Sequence, residues 1–340
     1  MLRHKHVYLF LSFSISIILI WVLIRQINLK DLIQVLSLLY FPAFLAYVAC
    51  SLLGAGLRAW RYKILLLPLR ISWGNILLVT FIRNLFVDLL PARIGSLSYI
   101  YVLNKRLNYS FESATSTFLF SFVFDFLTLS PFLASSIFAV GSGASMISTK
   151  PLLIFTLIFF LLIFILFWKI SEFILVSTRI YESLLRILKT RNKEWASKSL
   201  DKLKLTVEEI KHIQQRKIYW RVFGLSLLIR LSKYCSLLLL LYALLRSQGY
   251  SLQRLSLWKT ILGTTGAELT SILPVKGLAG FGTWESAWSL TYKLLGFEAR
   301  IAIISGIGVH LITNLFEYSL GTMSIILLAI TALRMKRGKK

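Results

Sequence analysis

At 340 residues, 57% of them hydrophobic, and with a mean hydropathy of +0.74, the chain is too apolar for an ordinary soluble domain. Its net charge of +25 suggests nucleic acid, but 23 of the 39 Lys and Arg fall at Arg3–Lys5, Arg58–Arg70, Lys169–Lys217 and Arg334–Lys340, at the edges of apolar runs. That distribution excludes a basic soluble face and marks the cytoplasmic side of a membrane protein, with both termini on it. Cys50 and Cys235 both lie inside apolar runs, so neither a disulfide framework nor metal-ligand spacing is present.

Val7–Ile24 predicts a first transmembrane helix. Arg25-Gln26 follows it in place of a small-residue cleavage site, so the run is not a signal peptide. A short outer loop with Asn28–Asp31 leads to a second helix at about 38–57, which ends at the cytoplasmic cations Arg58 and Arg61. Residues 72–104 form two half-length apolar pieces around Leu90-Pro91-Ala92-Arg93-Ile94-Gly95, closed by Lys105 and Arg106. Two half-length pieces that enter and leave on one side make a re-entrant hairpin, tolerated where protein or a watery cavity covers the broken backbone.

A long helix follows over 111–140, then an outer loop at 141–150 and a returning helix over 151–168. The basic segment 169–219 has apolar residues at helical spacing. It reads equally as amphipathic helices on the inner leaflet or as a solvated helical hairpin. Residues 221–245 cross outward, and 255–296 repeat the interrupted pattern around Leu273-Pro274-Val275-Lys276-Gly277, this time entered from outside. The last apolar run, about 300–333, would span roughly 50 Å as a helix. It must tilt, kink near Gly306, Gly308 or Gly321, or divide in two. Trp60, Trp73, Trp168, Trp220 and Trp258 fall near the predicted interfaces.

The predicted architecture is therefore all-α and polytopic: one integral-membrane domain over 1–340, with about six full crossings and two re-entrant hairpins of opposite orientation. A short internal match, Leu103–Leu107 against Thr291–Leu295, fits an inverted repeat. Charged groups within apolar segments are costly, so each is a candidate for function. In the first half these are Arg83, Asp88, Arg93 and Asp125, beside Arg58 and Arg61, which lie three apart on one helix face. In the second half they are Arg230, Glu268, Lys276, Glu285 and Glu317, with His310 a weaker candidate. Gly277, Gly280 and Gly282 would turn backbone amides toward an anion, and Pro91, Gly95 and Pro274 mark the hairpin breaks. Internal ion pairing and tight helix packing are the structural alternatives for these charges and glycines. No GxSxG, HExxH or Walker motif is present, so no cofactor or nucleotide is expected.

These residues resemble the lysylphosphatidylglycerol synthase transmembrane region family, the flippase-like module of the multiple peptide resistance factors. The likeness rests on the Arg61-centred end of the second helix, on Leu90–Gly95, on Asp125, and on Leu273-Pro274 followed by Gly280-Phe281-Gly282-Thr283-Trp284-Glu285. Members usually carry Glu after the first-hairpin glycine and Arg three further on, where this chain has Ser96 and Tyr99. Ser121-Phe122 replaces a Glu-Arg common before the aspartate, leaving the first half with less charge than the family norm.

The resemblance implies a stand-alone member without the synthase domain, in the cytoplasmic (inner) membrane, moving a phospholipid or another amphipathic lipid between leaflets. Its partner would be a membrane lipid with an anionic or polyprenyl-linked headgroup, and a homodimer or a separate lipid-modifying enzyme is left open. The rival readings are an enzyme on a lipid-linked substrate, a secondary transporter for a small solute, and a scaffold. A groove open sideways between helices would favour the lipid.

Overall fold

A computed structural model of the chain describes residues 14, 17–141, 149–191, 193–270 and 278–337, with backbone alone at 91–93, 149, 278 and 332–337. Among the described residues every regular element is helical. After the helical residues 17–24 come α1 (Leu29–Ser37), α2 (Phe41–Leu65), α3 (Trp73–Leu89), a 3₁₀ turn (Pro91–Leu97) and α4 (Ser98–Lys105). Then follow α5 (Phe111–Gly141), α6 (Thr149–Trp168), α7 (Ile170–Ile187), α8 (Glu194–Gln215) and α9 (Tyr219–Leu245). The chain closes with α10 (Leu257–Leu269), a 3₁₀ turn (Leu278–Gly280), α11 (Thr283–Leu294) and α12 (Ala299–Arg337). Five helices, in α2, α5, α6, α9 and α12, are long and apolar enough to cross a membrane.

These five do not share the same surroundings. Half or more of the apolar windows of α9 and α12 are buried (50% and 56%), against 6% for α6. The first two therefore form the centre, and α6 presents Phe155, Leu162, Ile165 and Trp168 outward, the disposition of a lipid-facing helix. Trp60, Trp73, Trp168, Trp220 and Trp258 are all exposed, as interface residues must be.

Contacts at the helix ends sort the chain into two ends of the bundle. At one end, Arg300 pairs with Asp31 at 3.0 Å, and the Tyr40 amide donates to the Ala243 carbonyl at 2.9 Å. At the other, Arg216 donates to the carbonyls of Leu65 (2.7 Å) and Leu67, satisfying acceptors that the end of α2 leaves open. The first interrupted segment begins and finishes at this second end, where Tyr109 donates to the Arg70 carbonyl and Asn104 to the Tyr109 carbonyl, both at 2.8 Å. The second begins and finishes at the first end, where Phe297 stacks on Tyr250 and takes the Lys259 ammonium 5.2 Å from its ring.

Each interrupted segment folds back on itself. α3 and α4 share a cluster through Ile76, Val79, Ile82, Tyr99, Val102 and Leu103. Gly95 sits against the α3 backbone so closely that a Cβ there would lie 1.6 Å from the Phe86 oxygen. α10 approaches α11 in the same way, through Gly263 onto Tyr292 and Gly266 onto Thr291. Small residues let helix backbones approach where lipid supplies no hydrophobic drive between helices.

One sequence expectation changes, and two open alternatives are resolved. α2 runs to Leu65, so Arg58 and Arg61 lie within the helix rather than beyond its end. α12 is one continuous 39-residue helix, and its glycines serve packing: Gly306 receives Trp288, Gly308 receives Leu244 and Gly321 receives Leu85. The basic segment is a helical hairpin, with α7 joined to α8 by Ser171 to Gln214 (2.7 Å) and Tyr181 to Ser199 (3.0 Å). Ile210 and Ile213 of α8 pack on Phe120 and Phe124 of α5.

Candidate functional site

At the junction of α2, α3, α5, α9, α10, α11 and α12 lies a cavity of about 310 Å³. Four cations line it (Arg58, Arg83, Arg230, Lys233), together with four carboxylates (Asp88, Asp125, Glu268, Glu317) and His310. The two interrupted segments both reach it: α3 contributes Arg83, Asn84, Val87 and Asp88, and the second break contributes Ala279, Gly280 and Trp284. The 3₁₀ turn at Leu278–Gly280 packs directly on α3.

Some of these charges are already paired within the protein. Arg61, fully buried, donates through Nη1 to Asp125 Oδ1 at 2.6 Å and to Ser226 Oγ at 2.8 Å, tying α2 to α5 and α9. Arg230 donates to the Asp125 carbonyl and to the Tyr234 hydroxyl, the latter at 3.1 Å. Lys233 on α9 pairs with Glu268 on α10.

Arg58 and Arg83 differ. Each donates through Nη1 to the same acceptor, Asn84 Oδ1, at 2.9 and 3.4 Å. Among the described residues neither has a carboxylate within ion-pair distance. The Nε of each is buried without a hydrogen-bond partner, and so are Thr264 Oγ1 and Asn314 Nδ2 of the same lining. Buried donors left open in this way call for a reason.

The sequence candidates therefore separate. Arg58, Asp88, Asp125 and Gly280 come together at the cavity. Arg61, on one helix face with Arg58 in the sequence reading, turns into the protein, where the Asp125 carboxylate offers the charge partner that hydrocarbon does not. Gly280 and Gly282 do adopt positive φ (82° and 86°), which favours glycine. The Gly282 amide, however, is taken by the protein itself: it donates to Glu285 Oε2 at 2.8 Å, closing the first turn of α11. Glu285 Oε1 lies 2.7 Å from His310 Nδ1, and both side chains are nearly sealed. Trp284 stacks on the His310 imidazole at 4.7 Å. Both Glu285 carboxylate oxygens thus have partners within the protein. Gly95 is a packing residue, as described, and Pro91 starts its 3₁₀ turn. The Arg93 side chain, Pro274, Lys276 and Gly277 lie outside the described residues.

Sequence reasoning placed Arg83, Arg230, Glu268 and Glu317 only among the ionisable groups of the apolar segments, and it missed Lys233. Their common signal was a charge within an apolar helix, but pairing partners from distant helices decide which of them stay open.

A second, apolar groove of about 410 Å³ lies on the other side of α3. Ile82, Phe86 and Leu90 form one wall, Ile94, Leu97 and Tyr101 the second, and Ile325, Leu328 and Ala329 of α12 the third. Arg106 stands at the end where α4 terminates.

Fold and site define a multi-pass α-helical membrane protein built around a charged internal cavity. The family model described as Lysylphosphatidylglycerol synthase TM region matches residues 9–321, and the chain belongs to that family. No curated protein and no solved structure matches it.

Proposed function

We propose that this protein moves an amphipathic lipid between the leaflets of the cytoplasmic membrane, with the headgroup passing through the central cavity. The carrying observation is the Arg58–Arg83 pair: two guanidiniums on adjacent helices, sharing one neutral acceptor and facing a cavity with their Nε donors open. A guanidinium suits a phosphate oxygen, to which it presents parallel donors. The open Asn314 and Thr264 groups add neutral contacts for the remainder of a headgroup.

In this reading the helical residues 17–24, α2, α5, α6, α9 and α12 cross the bilayer. The two interrupted segments enter from opposite faces as re-entrant hairpins. The end-contacts at Arg70–Tyr109 and Tyr250–Phe297 support that orientation. Both termini are then cytoplasmic, on the side of the basic hairpin α7–α8. The chain acts as a transporter and not as an enzyme, driven by a gradient, by membrane potential or by downhill lipid flow. The apolar groove beside the first hairpin favours a lipid over a small soluble solute, which needs no surface for acyl chains.

The test is headgroup exposure in proteoliposomes carrying labelled phosphatidylglycerol or phosphatidylcholine. Hydrogen bonds to charged groups contribute about 1.5–3 kcal/mol each. Arg58→Gln and Arg83→Gln should therefore each slow movement by roughly 10- to 100-fold. Arg179→Gln on the exposed face of α7 should not. Equal movement by all four proteins removes the assignment.

A further inference from the structure

The groove and the cavity share two walls. On α3, Arg83, Asn84, Val87 and Asp88 face the cavity, while Ile82, Phe86 and Leu90 face the groove. On α12, Glu317 faces the cavity and Ile325 the groove. Between them, one helical turn from each, Gly321 meets Leu85: a Cβ on Gly321 would stand 2.4 Å from Leu85 Cβ. Leu85 itself is buried. This contact lies on the seam where α3 and α12 pack together, between the charged space and the apolar one.

We propose that the groove holds an acyl chain of a phospholipid, and that Leu85–Gly321 is the gate through which that lipid's headgroup enters the cavity. The groove has the chemistry for this occupant. Its outer rim, Ile94, Leu97, Tyr101 and Ile325, is exposed and apolar, continuous with the surface a bilayer would cover. Among the described residues its cation is the exposed Arg106, at the end where Lys105 also lies, matching a phosphate at the headgroup level of that leaflet. A lipid lying here has its chain in the groove, and on α12 the groove's Ile325 stands two turns from the cavity's Glu317, with Gly321 midway. Parting α3 from α12 at this seam then lets the headgroup in while the chain stays in hydrocarbon.

This proposal rests on the reading of the protein as a lipid transporter, and its two halves are tested separately. Full-length protein is reconstituted with phosphatidylglycerol bearing a photoactivatable diazirine in the acyl chain, and the adducts are mapped by mass spectrometry. Adducts should concentrate at least 5-fold on 94–106 and 325–329 over the exposed apolar face of α6, and Ser98→Trp should remove the excess. Labelling that is even between groove and α6 overturns the acyl-chain site, whether or not the protein moves lipid.

For the gate, Leu85→Cys and Gly321→Cys are combined and the bridge verified by mass spectrometry. The oxidised protein should move lipid at least 10-fold more slowly than the reduced protein and still take adducts in the groove. Equal rates before and after reduction overturn the gate and leave the transport reading standing. Where the pair does not fold, Leu85→Ala opens the same contact and should speed movement at least 2-fold; an unchanged rate overturns the gate. Groove labelling with no movement by any form overturns transport and the gate, and keeps the lipid site.

Discussion

Arg61 provides the sharpest check on how the charges are divided. Its guanidinium is fully buried and donates to Asp125 and Ser226, so removing either charged partner strands the other away from water. Breaking a buried pair from one side costs about 3–5 kcal/mol, whereas replacing both partners by apolar groups is often neutral. Arg61→Met and Asp125→Leu should each lower stability by about 3–5 kcal/mol. The Asp125 change is the more severe of the two, since Arg61 has no exposure while the Asp125 side chain keeps 30%. The double variant should cost less than either single change, so the coupling energy should exceed about 3 kcal/mol. The assay is reversible unfolding in mixed micelles, read by tryptophan fluorescence, for the four proteins of the cycle. Two single losses that simply add would refute the pairing. A single variant as stable as the wild type, yet unable to move lipid, would return Arg61 to the headgroup site.

Gly95 and Gly56 test the packing of the first hairpin. At Gly95 an alanine methyl would meet the Phe86 carbonyl oxygen, whereas at Gly56 nothing lies within 4 Å. Gly95→Ala should therefore cost about 1–3 kcal/mol through backbone displacement, while Gly56→Ala should be neutral or gain up to about 1 kcal/mol in helix propensity; thermal unfolding of the two variants checks both. At the second hairpin, Glu285→Ala leaves the Gly282 amide and His310 without their acceptor and should cost about 1–3 kcal/mol. Glu285→Gln keeps an amide oxygen for Gly282 and should retain part of that stability in the same measurement, which a headgroup-binding Glu285 would not require.

The fold was legible in the sequence to the extent that the bilayer imposes it. Apolar length marked the five long apolar helices, and Pro91 with Gly95 marked the first break, because those features are local. Helix ends were less legible: α2 continues past Arg58 and Arg61 because its polar face turns toward Asn84, Asp125 and Ser226, residues from three other helices. The division of the charges was not legible at all. Arg58 and Arg61 are equivalent three residues apart in sequence, and only the positions of Asn84 and Asp125 make one open and the other closed. Of the Gly277, Gly280 and Gly282 amides expected to face an anion, that of Gly282 is bound by the chain's own Glu285 carboxylate, a local capping contact that Glu three residues after Gly282 already encodes.

Pairing distinguishes the walls of the site from its contents. With lipid on the outside, apolar surface does little to hold helix to helix, and the joints fall to glycine contacts and to charge pairs. Arg61 with Asp125 joins α2 to α5 and Lys233 with Glu268 joins α9 to α10, while a hydrogen bond between His310 and Glu285 joins α12 to α11. Each pair spans two helices, so each fixes a wall. Arg58 and Arg83 join α2 to α3 only through a shared neutral asparagine, a weaker tie that leaves two positive charges facing the cavity. A protein needing only a rigid bundle would gain from a carboxylate in place of Asn84, which would pair both guanidiniums at once. Asn84→Asp should accordingly raise stability and slow lipid movement, and a variant gaining stability without losing rate would show that the two arginines serve the wall after all.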